Sequence, residues 1–375
     1  MIFVGSDWHI TLYHYANRRE IRGDSYTALR RAGDAMIAIA ATLPADEGCL
    51  LLLAGDNFDA VRARREDVEE FTTFVAKLQA GGIRVAFING NHDRDASSYI
   101  ALQSLGAPAE HINEKLITCD GTSIYGIDWC VRPELHAKMA AAPACDILAL
   151  HAQTEHLIGY SGKAPDIKLD ELPERFGNVV VGDIHITDVR ELPHGKGYFC
   201  SPGPLYPCDM SQGGDRGFLI YNTRGESKGQ WQFFKVPGRE IVRLVIRDDA
   251  TLEASRRDLE GLDLTGDKPL VEITFMSSMT KQVQDLIASF ADVAHFFPKR
   301  SSSGITLDKN ALERVRAESS AEVVEAAALL PAYVNAEVDP ELYTLLALAL
   351  QDEEVATGTQ TLQEYLDALI QTVQS

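Results

Sequence analysis

CLLLLAGDNFD, residues 49–59, is an apolar run that closes on Gly55-Asp56-Asn57-Phe58-Asp59. Such a run, ended by glycine and polar residues, reads as a buried strand stopping in a loop. The pattern recurs. Asp7-Trp8-His9 follows IFVGS, Gly90-Asn91-His92-Asp93 follows VAFIN, His151 closes DILAL, and Gly182-Asp183-Ile184-His185 follows NVVV. Five strand ends therefore deliver Asp, Asn or His, the hard and borderline ligands of divalent cations. Packing alone rarely gathers such residues, because a buried carboxylate without a partner is costly. A cation supplies the partner.

The spacing suggests a division of labour. Side chains two apart on a strand share a face, so Asp7 with His9, and Asp183 with His185, are expected to reach one ion together. In Asn91-His92 the neighbours diverge, which frees one for metal and the other for substrate. Asp56 is the best bridging carboxylate, His151 adds a neutral nitrogen, and a pair of divalent ions held this way suits phosphoryl chemistry. His92 is the expected general acid. Asp59 is placed to hydrogen-bond and orient it, although Asp59 also reads as a helix N-cap.

With 375 residues, 45% of them hydrophobic, the chain can bury a large core and hold two or three domains. The first strand begins almost at Met1 with no basic segment before it, so no signal peptide is expected. No apolar stretch approaches the roughly 20 residues of a membrane span. The six cysteines form no CxxC pair, which suits buried thiols of a reducing cytoplasm. The net charge of -20 argues against a general nucleic-acid binder. The acidity is uneven: residues 301–375 carry three basic residues against thirteen acidic ones, a net of -10 and half the total.

Residues 1–236 read as an α/β domain. Strands alternate with helices over about 25–43 and 65–80, and shorter strands follow from about 110. The shift suggests a second sheet packed on the first, an α+β sandwich flanked by helices. Residues 237–300, opened by Pro237-Gly238, read as a small α+β module, and 301–375 as an acidic helical tail. The tail is either a packed subdomain or a docking element for another protein's helices.

DWH, GDNFD, GNHD, His151 and GDIH together resemble the motif series of calcineurin-like metallophosphoesterases. Within that superfamily the chain is similar to the SbcD-type nuclease subunits of bacterial and phage recombination and repair complexes. Ser201-Pro202-Gly203-Pro204 and Asp215-Arg216-Gly217-Phe218 strengthen the narrower likeness. The resemblance implies a two-sheet metallophosphoesterase core, a capping domain over 237–300, and a tail that docks an SbcC-type coiled-coil ATPase. It implies a DNA exonuclease/endonuclease working as a homodimer in the cytoplasm. It also implies two divalent ions, Mn²⁺ or Mg²⁺: Asp7, His9, Asp56 and His185 at one, and Asp56, Asn91, His151 and Asp183 at the other, with His92 catalytic. The family pattern Gly-His-x-His is here Gly182-Asp183-Ile184-His185, and an oxygen donor at 183 favours Mn²⁺ or Mg²⁺. Turned away, Asp183 would leave the second ion weakly held.

Arg18, Arg22, Arg62 and His194 are candidate DNA contacts, since arginines beside a metal site grip phosphates. Each also reads as a solvated loop or helix end. The alternatives to a nuclease are a small-molecule or nucleotide phosphodiesterase and a non-catalytic scaffold subunit.

Overall fold

The computed structural model describes residues 1–13, 21–93, 109–158, 164–208, 212, 214–262 and 266–301. Arg18 and the tail from residue 302 lie outside the described residues. The described residues divide into two compact units, 1–240 with 266–267, and 241–262 with 268–301.

The first unit holds twelve strands among its described residues: β1 (Ile2–Gly5), β2 (Cys49–Ala54), β3 (Ile83–Ile88), β4 (Glu110–His111), β5 (Leu116–Cys119), β6 (Thr122–Ile127), β7 (Cys145–His151), β8 (Phe176–Gly182), β9 (Asp188–Glu191), β10 (Tyr198–Ser201), β11 (Gly217–Tyr221) and β12 (Trp231–Lys235). They form two mixed six-stranded sheets, ordered β12-β11-β1-β2-β3-β4 and β5-β6-β7-β8-β10-β9. In the first, β1, β2 and β3 are parallel neighbours; in the second, β6, β7 and β8 are.

The unbroken apolarity of 49–54 follows from burial on both faces. Leu50 and Leu52 meet Ile124, Ile147, Ala149 and Val180 of the other sheet. Leu51 and Leu53, pointing the opposite way, pack with Leu29, Met36, Phe71, Phe74 and Leu78. Those five come from helices α1 (Asp24–Ala40) and α2 (Arg65–Ala80), close to the expected ranges. The outer face of the second sheet packs with Leu135 and Met139 of α3 (Arg132–Ala141). The layering is helix, sheet, sheet, helix, an α/β sandwich. All six cysteines are free thiols, four of them buried.

The second unit carries a parallel three-stranded sheet, β13 (Ile241–Ile246), β14 (Leu270–Met276) and β15 (His295–Ser301). Two helices, Asp249–Glu260 and Thr280–Ser289, connect the strands and share a core with Ile246, Val271 and Ile273. Asp248 caps the first of them in a reciprocal box with Thr251.

One buried polar contact ties the helices to the chain after β1. The Tyr26 hydroxyl of α1 donates to Asp67 Oδ1 at 2.7 Å, and the Leu12 amide donates to the same oxygen at 2.8 Å. Tyr26→Phe removes one donor from a buried carboxylate, so it should lower unfolding stability by about 1–3 kcal/mol. Urea denaturation checks this, with an unchanged m-value expected.

Candidate metal centre

β1, β2, β3, β7 and β8 all deliver their C-terminal ends to one place. The loop after β1 is zipped onto the loop after β2: Asp7 N donates to Gly55 O at 3.0 Å, His9 N to Asp56 O at 3.0 Å and Ile10 N to Asn57 O at 2.9 Å. The loop after β3 joins them through His92 N, which donates to Asp56 Oδ1 at 2.8 Å. The loop after β8 joins through Asp183 N, which donates to Asp7 Oδ1 at 2.7 Å. Gly90 is required here by close approach, because a Cβ at that position would collide with the Asp56 carboxylate and amide.

Asp7 and His9 converge for a reason other than strand alternation. β1 ends at Gly5 and β8 at Gly182, so Asp7, His9, Asp183 and His185 all lie beyond the strands. Their convergence comes from left-handed backbone: φ is 56° at Asp7, 39° at His9, 50° at Asp56, 101° at Asp183 and 56° at His185. These five are among only seven non-glycine residues with positive φ in the described residues. Each such residue costs about 1–3 kcal/mol, and strain of this kind collects at functional sites.

The side chains form overlapping donor clusters. Asp7, His9 and His185 place ligand atoms within 4.8 Å of one another, and so do Asp7, Asp56 and His151. A third triad joins His9 and Asp56 to His92. Asp7 therefore borders both halves, where the resemblance assigned it to one. Asp56 lies between them, its Oδ2 3.6 Å from His9 Nε2 and 3.4 Å from His151 Nε2. Asp183 faces inward, with Oδ1 3.7 Å from His151 Nε2. Asn91 Oδ1 is 3.1 Å from the same nitrogen.

His151 provides the test of whether this set suits a cation. Its Nδ1 donates to the Ala54 carbonyl at 2.9 Å, so Nε2 of the neutral ring offers only a lone pair. That lone pair faces oxygens of Asn91, Asp56 and Asp183 in a fully buried position. Acceptors facing acceptors away from water need a proton or a metal ion among them. The electrostatics agree. Burial opposes charge on His151, yet Asp56, Asp7 and Asp183 lift its pKa to about 10. Burial works against Asp56 too, but His151 and His9 hold it down at about 2. Burial and the nearby His9 hold His185 down at about 4, leaving it neutral and able to ligate. The donor set fits divalent cations.

Several functional contacts lie outside the expected residue set. The buried Asp93 carboxylate accepts from Asn57 N, Asn57 Nδ2 and Gly90 N at 3.1 Å each, and from Phe58 N at 3.2 Å. It clamps the Asp56 loop to the His92 loop. The Tyr206 hydroxyl donates to His9 O at 2.7 Å, and the Gln212 amide lies 2.8 Å from His185 Nδ1. Asp93 closes a quoted motif and was open to discovery there; Tyr206 and Gln212 carry no sequence signal.

One expectation needs correction. His92 Nδ1 donates to the backbone carbonyl of Asp59 at 2.6 Å, whereas the Asp59 carboxylate lies 3.6 Å from His9 Nδ1. Asp59 thus meets both imidazoles, but through different atoms than expected. His194 belongs to the β9–β10 hairpin, whose Gly197 packs against Gly177 at the start of β8. The metal-side end of β8 is five residues further on, roughly 16 Å away. His194 therefore lies toward the opposite end of the sheet from the donor cluster. Arg22 and Arg62 are exposed on loops, and Arg22 and Arg64 both lie over the Tyr13 ring.

No protein-family model matches the chain. Over 93 residues it is 31% identical to the DNA double-strand break repair protein Mre11 of Nanoarchaeum equitans (strain Kin4-M), covering 25% of this chain and 24% of that protein. The chain therefore matches about a quarter of that relative's length. Among solved structures it is similar to TT1561 of Thermus thermophilus, at 13% identity and a TM-score of 0.35 over 54% of this chain and 89% of the other. It is also similar to an archaeal phosphodiesterase, at 12% identity and a TM-score of 0.36 over 62% and 98%. At these scores the likeness assigns no role to any residue.

Mn²⁺ that binds only the folded state raises stability by about 2.7 kcal/mol at a hundredfold excess over Kd. Differential scanning fluorimetry should show that upward shift for the wild type and none for Asp56→Asn. Asp93→Ala leaves buried N–H groups unsatisfied at about 1–3 kcal/mol each. Its urea midpoint should fall well below that of Asp93→Asn, which keeps an acceptor.

Proposed function

We propose that the chain is a metallophosphoesterase that uses two divalent cations and acts on DNA as an exonuclease/endonuclease. The observation that carries the reading is the buried His151 Nε2, held among carboxylate and carboxamide oxygens at the ends of strands from two sheets. Bound there, the cations would activate water and neutralise charge on the phosphoryl group. Asp7, His9, Asp56 and His185 would hold one, and Asp56, Asn91, His151 and Asp183 the other, with Asp7 close to both clusters. The carboxylate and carboxamide oxygens suit Mn²⁺ or Mg²⁺, and of the two the imidazoles favour Mn²⁺.

The remaining chemistry belongs to His92. Its side chain is 39% exposed, whereas those of His9, Asp7, Asp56 and His151 are nearly or fully buried. The bond from Nδ1 to the Asp59 carbonyl fixes the ring and leaves Nε2 turned toward the centre, 4.0 Å from Asp56 Oδ2. A histidine so held can give a proton to the departing oxygen. DNA as substrate draws support from the stretch shared with Mre11 and from the motif series. Assembly as a homodimer with an SbcC-type ATPase belongs to the same proposal. No helix among the described residues is long and apolar enough to cross a membrane.

The net charge of -20 favours one alternative, a small-molecule or nucleotide phosphodiesterase. That enzyme would cleave model diesters well and linear DNA poorly, with or without an ATPase. For the nuclease, His92→Ala should keep its Mn²⁺-induced thermal shift while hydrolysis of linear DNA falls about 10²–10⁴-fold. Wild-type cleavage by that variant would remove His92 from the chemistry.

A further inference from the structure

Beside the donor cluster lies a second, larger cavity of about 820 Å³, and the two share His185 and Gln212. It follows the chain from Ile184 to Val189 and reaches Phe233. Val189 belongs to β9 and Phe233 to β12, each the edge strand of its sheet. The groove therefore runs between two sheet edges and opens at the metal-side end.

Its lining is unusual for solvent-facing surface. Ile186, Val189 and Phe233 are 45%, 39% and 38% exposed, three of the eight large apolar side chains exposed among the described residues. Apolar residues scattered singly need no explanation, but a group lining one concavity marks a binding surface.

We propose that this groove is the subsite for one nucleobase of the phosphodiester substrate. The proposal deepens the phosphoesterase reading and rests on it. A phosphoryl group at the donor cluster has His185 and Gln212 on its wall, and the groove starts at those same two residues. An ester substituent leaving on that side enters the groove directly. Phe233 offers it an aromatic face, with Ile186 and Val189 as apolar flanks.

Asp215 and Arg216 also line the groove, paired with Lys235 and with the His185 carbonyl. Gln212 is bonded to Cys208 N and to His185 Nδ1, the Thr187 hydroxyl donates to Pro202 O at 2.8 Å, and Asp188 pairs with Arg190. The apolar side of the groove, Ile186, Val189 and Phe233, offers stacking, which accepts any base since every base has a π face. Sequence-indifferent binding is what a general DNA-processing enzyme needs.

The test uses two esters that release the same chromophore, thymidine 5′-(p-nitrophenyl) phosphate and methyl p-nitrophenyl phosphate, with full-length protein and Mn²⁺. In the wild type kcat/KM favours the thymidine ester. In Phe233→Ala the ratio of the two kcat/KM values should fall about 5- to 100-fold, the equivalent of one lost base stack, and chiefly through KM. An unchanged ratio overturns the proposal and leaves the groove to a protein partner. Calorimetry with thymidine 5′-monophosphate separates this result from the underlying reading. Binding that weakens in Phe233→Ala, without hydrolysis of either ester by the wild type, supports the groove and refutes the phosphoesterase. No nucleotide binding, or equal binding by the variant, overturns the groove whichever esters are cleaved.

Discussion

The structure depends on a charge problem: Asp7 and Asp56 are buried together, and their carboxylates approach the same histidines. Burial, reinforced by Asp56 and opposed by His151, pushes the pKa of Asp7 up. Burial likewise raises that of Asp183. Asp7 is fully buried, so the fold must hold positive charge nearby. The imidazoles of His9 and His151 do part of this, and a divalent cation would do the rest. The left-handed backbone at five ligand positions is the cost of bringing the donors so close.

The architecture makes that arrangement rigid. Parallel strands bring several C-terminal ends to one edge, and two stacked sheets bring such edges together from both sides. His151 shows the join: it ends a strand of one sheet and donates to Ala54 at the end of a strand of the other. Asp93 repeats the device between the loops that follow β2 and β3. The clustered side chains are therefore held by backbone and buried hydrogen bonds, the kind of preorganisation that a metal site needs.

Much of this was legible in the amino-acid order. Leu50–Leu53 and the runs like it revealed buried strands, because burial on both faces leaves no alternation to misread. Helices α1 and α2 stood out through wide apolar faces. Helix α3 escaped because only Leu135 and Met139 of its ten residues are buried. Strand β9, Asp188–Glu191, escaped because an exposed edge strand of charged residues has no apolar pattern. The clustered acids and histidines stood out by residue type and position after a strand, but the geometry that unites them did not. Positive φ at Asp7 or His185 leaves no mark when the residue is not glycine. The distance of His194 from the donor cluster is set by hairpin register, a long-range property that its loop sequence does not reveal.

The central claim, that these donors hold two cations, is tested most directly by anomalous diffraction from crystals grown with Mn²⁺. Two anomalous peaks are expected about 3.5–4 Å apart, on either side of Asp56, with Asn91 and His151 at one and His9 and His185 at the other. An anomalous map with no peak at Asp56, or with Mn²⁺ bound only elsewhere on the chain, would contradict it.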